Sequence, residues 1–432
     1  MTNHRSLAPW IASGALLIGL ILAIPVHAQV KPGQTITPEN ATLVKDLLSP
    51  GVYRRVTLGM SMNIVPTQRV DWPPPYKDAT EKYSSQVQLS SDHRTMVGYV
   101  AGQPFPLLDP NDPDVGTKLV WNNVMRPIQT DDYDLRFFDC EQVYPKLGGS
   151  HNVIVRFDVG HYSGYNLIGR TEVEPIPVDV DYKISNRLWM FAAYPLLSPQ
   201  QARGQGLIRY RYGDPNRGDD SWTWTPGERR VRRLSESILS TNAGTMTFDP
   251  DHYSGYNPKT EQYVYRLLGE KNMLACVHAK HSPEVTCPTD AGASICPEDY
   301  EMRHMYVVES VPRKGGKQST NDVLESKTVI YMDSEVWFEP YVDTYDRKGQ
   351  LWRTNIYWLT YRDRPVPDAK IAIYPFKREF VVGASELDVQ GGMAAVCYLP
   401  GQDTPERECW YINMGAVDKQ FCTVEAMVKA AP

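Results

Sequence analysis

Three groups of residues in this chain have the types and spacing to do chemistry. The densest is "SWTWTPGERRVRRLSES" at 221 to 237, where Trp222 and Trp224 precede a Pro226-Gly227 turn and Arg229, Arg230, Arg232 and Arg233 follow it. Aromatics beside arginines serve bases stacked over a phosphate track, a sugar platform, an anionic lipid site, or a twisted hairpin with one wet face. The second group is a repeat: "FDVGHYSGYN" (157 to 166) and "FDPDHYSGYN" (248 to 257) agree at eight of ten positions. Asp158 with His161 and Asp249 with His252 would offer one metal two carboxylates and two imidazoles. "YSGYN" is also good hairpin-turn chemistry, because Gly and Asn accept positive φ, and a repeated structural turn is the expectation. The third group is Cys276, His278, His281, Cys287 and Cys296, whose spacings match no compact zinc pattern.

Familiar catalytic signatures do not accompany them. There is no G-x-S-x-G elbow, no H-E-x-x-H and no phosphate-binding glycine loop. Acidic residues are plentiful, yet no spacing defines a glycosidase-like pair. The expectation is therefore a protein that is not an enzyme and uses no cofactor or metal.

Compartment narrows the choices. Residues 1 to 28 read as a secretory signal: His4 and Arg5 start it, no charge interrupts Trp10 to Ile24, and Val26-His27-Ala28 suits signal peptidase. The alternative is an uncleaved anchor, since Leu7 to Val26 is nearly long enough to span a bilayer. The segment holds one arginine and no acid, so the chain's 45 basic and 51 acidic residues become 44 and 51, a net of −7. An exported acidic protein is not a general nucleic-acid binder, and the arginines are a local patch. The seven cysteines, Cys140, Cys276, Cys287, Cys296, Cys397, Cys409 and Cys422, should oxidise, and an odd count leaves one unpaired. The groups 276 to 296 and 397 to 422 read as stapled loops.

The elements that must position these residues are mostly strands. With 26 tyrosines, ten tryptophans and 34 prolines, short alternating runs are bounded by Pro, Gly, Asp and Asn. "RLWMFAAY" (187 to 194), "GLIRYRYG" (206 to 213), "SWTWT" (221 to 225) and "RRVRRL" (229 to 234) make one antiparallel meander. "SKTVIYM" (326 to 332), "SEVWFEPYVDTYD" (334 to 346) and "GQLWRTNIYWLTYRD" (349 to 363) make a second. In its last strand Trp352, Thr354, Ile356, Trp358 and Thr360 share one face, and both faces carry apolar bulk. Such a sheet needs cover on both sides or lines an apolar cavity. Helices are few. One spans 37 to 51, capped by Thr37, opened by Pro38 and ended by Gly51; others run from Tyr76 to about Gln86 and along the C-terminal "TVEAMVKAA".

The blocks "PYKDATEKYSSQVQL" (75 to 89), "GYVAGQPFP" (98 to 106), "WTWTPGERRVRRL", "YVYRLLGEKNML" (263 to 274), "RHMYVVES" (303 to 310) and "DTYDRKGQLWR" (343 to 353) resemble, in order, those of the Gram-negative family called domain of unknown function 1329. That family is similar in fold to the periplasmic lipoprotein carrier and receptor of the Lol system, LolA and LolB. The resemblance implies a mainly β fold: a large curved antiparallel sheet forming an incomplete barrel, with helices partly covering the concave face. It also implies a single domain over 29 to 432, with a Cys-rich insertion at about 275 to 297 and a Cys-containing C-terminal extension at about 385 to 432. The implied role is a periplasmic carrier of a lipid or other hydrophobic molecule, working with an inner-membrane exporter or at the outer membrane. A polysaccharide- or surface-binding module and a secreted hydrolase are the alternatives.

On that reading Trp189, Phe191, Tyr210, Trp222, Trp224, Trp337 and Trp358 are the candidates to line a common apolar cavity. Arg229, Arg230, Arg232 and Arg233 split between two faces. They either protect a solvated strand edge by charge or meet an anionic head group or membrane surface.

Overall fold

The computed structural model describes residues 30–144, 153–234, 252, 255–280, 290–313, 325–367, 369–399 and 410–430. Its first short strands are β1 (Thr35–Ile36) and β2 (Met62–Ile64), and β3 (Gln88–Leu89) and β4 (Met96–Val97) form a separate ribbon. The first meander is β5 (Asp132–Val143), β6 (Val153–Asn166), β7 (Arg187–Ser198), β8 (Gly206–Tyr212), β9 (Asp220–Thr225) and β10 (Arg230–Leu234). The second is β11 (Tyr263–Ala275), β12 (Glu298–Pro312), β13 (Glu325–Asp333), β14 (Tyr341–Asp346), β15 (Leu351–Arg362), β16 (Arg378–Asp388) and β17 (Ala394–Tyr398). They join where β17 pairs with β5, and β18 (Trp410–Ile412) continues along β5. A 16-stranded sheet results, almost wholly antiparallel; β2 lies parallel to β12. Among the described residues β10 pairs only with β9 and β11 only with β12, so the sheet curves without closing into a barrel.

Its curvature is legible in the core. Tyr162 and Phe191 of the first meander share one buried cluster with Val308, Ile330 and Val342 of the second, so their faces are turned toward each other. The intervening strands add Leu359, Phe380 and Ala395, and the helix α3 named below adds Leu119 and Val120. The outer face is buried too. At one end Ile356, Trp358, Leu387 and Val396 pack under N-terminal residues such as Val44, Val52 and Val56. At the other, Met190, Ala192, Ile208 and Tyr210 pack under Cys422 and Met427.

The helices are α1 (Pro50–Leu58), α2 (Pro74–Tyr83), α3 (Val115–Val124), α4 (Val180–Ser185) and α5 (Val424–Ala430). The expected helix over 37 to 51 is instead a 3-10 segment, Pro38–Leu47, followed after an extended Leu48 by α1. Gly51 thus sits in the first turn of a helix rather than ending one. A Cβ there would collide with the Asp343 carboxylate and the Thr354 side chain, so glycine is required by close approach to the sheet. The α1 start is capped twice: Ser49 accepts from the Val52 amide at 3.1 Å, and buried Asp343 accepts from the Gly51 amide at 2.9 Å. The helix expected from Tyr76 begins two residues earlier, since Pro74 and Pro75 open α2. The expected long strand over 334 to 346 begins only at Tyr341. Asp333 accepts from the Glu335 and Val336 amides, and Trp337 takes φ +58°, which turns the chain.

Arg55 fastens α1 to the sheet. Its side chain is fully buried. Nη1 donates to Gly292 O, Ala293 O and Ser385 Oγ, and Nη2 to Thr354 O and Ser385 O, at 2.6–3.2 Å. Burial pulls its pKa down to about 10, so it stays charged at neutral pH. Replacing it by methionine keeps bulk but orphans several acceptors, so Arg55→Met should lower unfolding free energy by about 3 kcal/mol or more. Urea denaturation checks this, and a loss under about 1 kcal/mol would remove Arg55 from its anchoring role.

Candidate functional site

The period of two decides what enters the interior. Along β7, Trp189 and Phe191 point to the inner face, while Met190 and Ala192 pack on the outer one. Along β8, Leu207, Arg209 and Arg211 point in, while Ile208, Tyr210 and Tyr212 point out. Tyr162, Gly164 and Asn166 of β6 complete the wall. Gly164 has no side chain because the Tyr133 ring lies where its Cβ would stand. Trp121, Val124 and Arg126, in and just after α3, cover one side, and Asn257, Pro258 and Glu261 cover another. These groups line a partly open cavity of about 110 Å³.

One wall is cationic. Arg209 and Arg211 share Asp219: Nε of Arg209 and Nη2 of Arg211 each donate to it at 2.8 Å. Burial alone would raise the Asp219 pKa, but Arg211 and Arg209 together hold it down at about 2. Arg211 also donates to Asn257 O at 2.6 Å and Pro258 O at 3.0 Å, which ties the covering segment to β8. The guanidinium carbons of Arg211 and Arg209 lie 4.9 and 5.8 Å from the centre of the Trp189 ring. Lys259 donates its ammonium to Tyr212 O, Asp214 O and Arg217 O just behind. Buried Glu261 is pushed up by desolvation, against the pull of Lys259 and Arg211. On the α3 side Arg126 lies 4.8 Å over the Phe338 ring, near Glu339, which accepts from Asn123 and from the Tyr256 amide. Desolvation raises Glu339, and Arg126 opposes it.

Of the seven aromatic candidates only Trp189 and Phe191 border this cavity. Tyr210, Trp222 and Trp224 pack on the outer face near α5, with Tyr210 and Trp222 edge to face at 5.1 Å. Trp358 lies under α1 on the outer face and donates to Tyr300 Oη at 3.0 Å. Trp337 belongs to the inner core, stacked on Tyr306, but not to the cavity wall. The expectation of one common lining set is thus corrected: the set divides among three clusters. Strand phase is the reason, because a one-residue difference in register sends a side chain to the opposite face.

All four arginines of the opening block are exposed. Arg229 occupies the turn at φ +48°, Arg233 lies on the face of Trp222, and Arg230 and Arg232 alternate to the other. Arg232 pairs with Glu228 and Arg233 with Asp220.

The repeat adopts two structures, so the expectation of a repeated turn is corrected. The first copy runs inside β6, whereas His252 and 255–257 of the second lie outside the strands. Asp158 pairs across the sheet with Asp139 and Ser198, His161 leans on Asp134 at 3.1 Å, and His252 faces Glu386 at 3.9 Å and Tyr256. Asp249 lies outside the described residues. Among the described residues no group of three or more His, Cys, Asp or Glu could hold a metal. What the copies share is the cavity, to which the first gives Tyr162, Gly164 and Asn166 and the second Asn257.

The staple expected within 397 to 422 is corrected. Cys397 is bonded to Cys140, 257 residues away, because β17 and β5 place them directly opposite. Cys422 and Cys276 are buried free thiols, Cys296 is disulfide-bonded, and His278 pairs with Glu301 at 2.8 Å. His281, Cys287 and Cys409 lie outside the described residues, as do residues 1 to 28. Among the described residues no helix is long and apolar enough to cross a membrane.

An open, mainly β protein whose curved sheet wraps a shared core and an inner cavity is the class these features define. The chain belongs to the family described as protein of unknown function DUF1329, whose model matches residues 35–405. A relative from Pseudomonas aeruginosa, the uncharacterized protein PA3922, is 22% identical over 357 residues, covering 79% of this chain and 72% of its own. Among solved structures, a DUF1329 family protein from Desulfovibrio piger aligns with TM-score 0.44 and 14% identity over 72% of this chain and 97% of that one. A Vibrio parahaemolyticus domain described as outer membrane lipoprotein-sorting aligns with TM-score 0.47 and 13% identity, over 73% of this chain and all of that one.

The site's two carboxyls titrate with opposite signs. Asp219, held below the ordinary value, stabilises the fold above about pH 4, and that contribution fades as pH falls toward its folded pKa of about 2. Glu261, raised in the fold, favours folding fully at low pH and loses that contribution as pH rises through its folded pKa. Asp219→Asn should therefore cost about 2 kcal/mol at pH 7 and progressively less below pH 4. Glu261→Gln should gain on wild type as pH rises from 4 to 7. Melting temperatures measured across pH 2 to 8 check both slopes.

Proposed function

We propose that the protein is a non-catalytic periplasmic carrier for a lipid or other hydrophobic ligand, passing it between an inner-membrane exporter and the outer membrane. The observation that carries this reading is the inner cavity, walled by Trp121, Tyr133, Tyr162, Trp189 and Phe191, with arginines on one side. Aromatic walls with a few placed polar groups suit an apolar ligand with one polar end.

The size of the cavity adds a mechanical condition. About 110 Å³ is well below the roughly 300–1,000 Å³ of a typical ligand pocket. The arrangement therefore takes the end of a chain or a small ring. A larger ligand enters as α3 and the 257–261 segment move outward from the strands. Among the attachments to be released are Asn123 to Trp337 O at 3.0 Å and Glu339, Arg211 to Asn257 and Pro258, and Lys259 to Tyr212 O, Asp214 O and Arg217 O. The sheet behind them keeps its ladders, so loading leaves the scaffold intact.

The reading is tested with protein taken from the periplasm. Native mass spectrometry should show a co-purified hydrophobic molecule, and delipidated protein should enhance the fluorescence of N-phenylnaphthylamine. Leu207→Trp adds bulk inside the cavity wall and should weaken dye binding about tenfold, with the circular dichroism spectrum unchanged. Protein that carries nothing and binds no dye overturns the carrier reading.

A further inference from the structure

One rim of the sheet is edged with exposed aliphatic side chains. Strand register puts the starts of β5, β7 and β16 and the ends of β6, β15 and β18 on that rim: Asp132 lies opposite Tyr165, Asn166 opposite Trp189, Ile412 opposite Tyr133 and Arg362 opposite Arg378. β17 carries the order from β16 to β5. The segments that leave the rim, 167–186, 369–377 and 413–416, present Ile176, Val180, Ile184, Ile371, Ile373 and Met414 to solvent. Val180, Ile184 and Ile371 are 65%, 82% and 68% exposed. Single exposed aliphatics are ordinary on a protein surface, but these gather along one edge.

The backbone beneath them is fixed by hydrogen bonds. Asp131 accepts from the amides of Thr171, Glu172 and Val173 at 2.5–2.7 Å, and Glu172 accepts in turn from Arg378 and Asn413. Lys419 donates to Asp179 at 3.0 Å and to Asp181 at 2.7 Å, which ties α4 to the C-terminal segment. Along 369–377, Ala372 and Tyr374 enter the core while Ile371 and Ile373 alternate outward, and Tyr374 Oη accepts from the Ile412 amide at 2.7 Å.

Charge chooses the occupant. Lys183, Lys370 and Lys377 stand exposed among the isoleucines. The acids of the same segments are engaged within the fold: Glu172, Asp179 and Asp181 as above, and Glu174 with the Ile176 amide at 2.9 Å. Lysine is depleted from the cores of protein–protein interfaces, whereas lysines beside separate aliphatic side chains suit a membrane surface, where apolar groups enter the acyl boundary and ammonium groups meet anionic headgroups. The rim is also continuous with the cavity. Ile168, in the cavity wall, bridges Val178, two residues before α4.

We propose that this rim docks on an anionic phospholipid bilayer, its aliphatic side chains entering the boundary of headgroups and acyl chains and its three lysines meeting the surface charge. The purpose of docking rests on the carrier reading, since it sets the cavity beside a source of hydrophobic ligand.

Flotation of delipidated protein, taken from the periplasm, with vesicles of phosphatidylethanolamine and phosphatidylglycerol tests the docking. Wild type should float with them, less as salt rises, and only weakly with phosphatidylcholine alone. Val180→Gln with Ile184→Gln, and separately Ile371→Gln with Ile373→Gln, should each weaken vesicle binding about fivefold or more. Val264→Gln with Leu268→Gln, at exposed positions of the edge strand β11, should leave it unchanged. N-phenylnaphthylamine binding by the rim variants should match wild type; loss of dye and vesicle binding together returns the effect to the cavity and overturns the docking. Wild type that does not float, or rim variants that float as well as wild type with native circular dichroism spectra, overturns the docking and leaves the carrier reading standing. Wild type that ignores vesicles but forms a dimer in sedimentation velocity, lost in the rim variants, assigns the rim to a second copy of the chain and overturns the docking as well.

Discussion

Every strand from β5 to β17 except the exposed edge strand β10 buries residues on its two faces, and that single requirement organises the molecule. A sheet apolar on both sides has to be covered twice, and curvature supplies the inner cover by folding one meander over the other. The outer face is then closed in pieces, by the 3-10 segment and α1 at one end and by the C-terminal segment with α5 at the other. Among the described residues the helix α3 contributes to the interior, and the cavity lies beside it and β6 to β8.

Buried arginines mark the joints between these layers. Arg55 joins α1 to β15 and β16, Arg378 reaches Glu172 and the Ile412 carbonyl, and Arg303 is held by Asp333. In each case the charge lies where segments distant in sequence meet, and carbonyls, carboxylates or a hydroxyl accept from its terminal nitrogens. Arg209 and Arg211 belong to the same pattern, but they alone among these stand at the edge of a cavity.

How far the sequence reached can be followed strand by strand. Alternation located β7, β8, β9 and β10 and most of the second meander, because a half-buried strand repeats every two residues whatever it packs against. The blocks shared with the family identified the curved sheet. Turn chemistry misled in two places: Gly51 reads as a helix end until Asp343 and Thr354 are seen against it, and "HYSGYN" reads as a hairpin although its first copy lies within β6. Neither error was avoidable from local pattern, since the partner that decides each lies elsewhere in the chain. The tryptophan pair of the opening block drew the eye, yet Trp222 and Trp224 belong to the outer face and their arginines to an exposed edge.

The residues that form the cavity's charged wall were present in plain view as the alternating arginines of "GLIRYRYG". Sequence alone determined that Leu207, Arg209 and Arg211 share one face and Ile208, Tyr210 and Tyr212 the other, because the pleat fixes that relation locally. Which face turns inward was decided only by tertiary structure, through the pairing of β17 with β5, the curvature of the sheet and the docking of α5 on Ile208 and Tyr210. The same division holds for the cysteines. Composition and an export signal predict oxidation, but the bond from Cys140 to Cys397 exists because two strands far apart in the chain became neighbours in register. Periodicity is a property of the backbone at each residue, whereas the sign of a face and the partner of a side chain are properties of contacts across hundreds of residues.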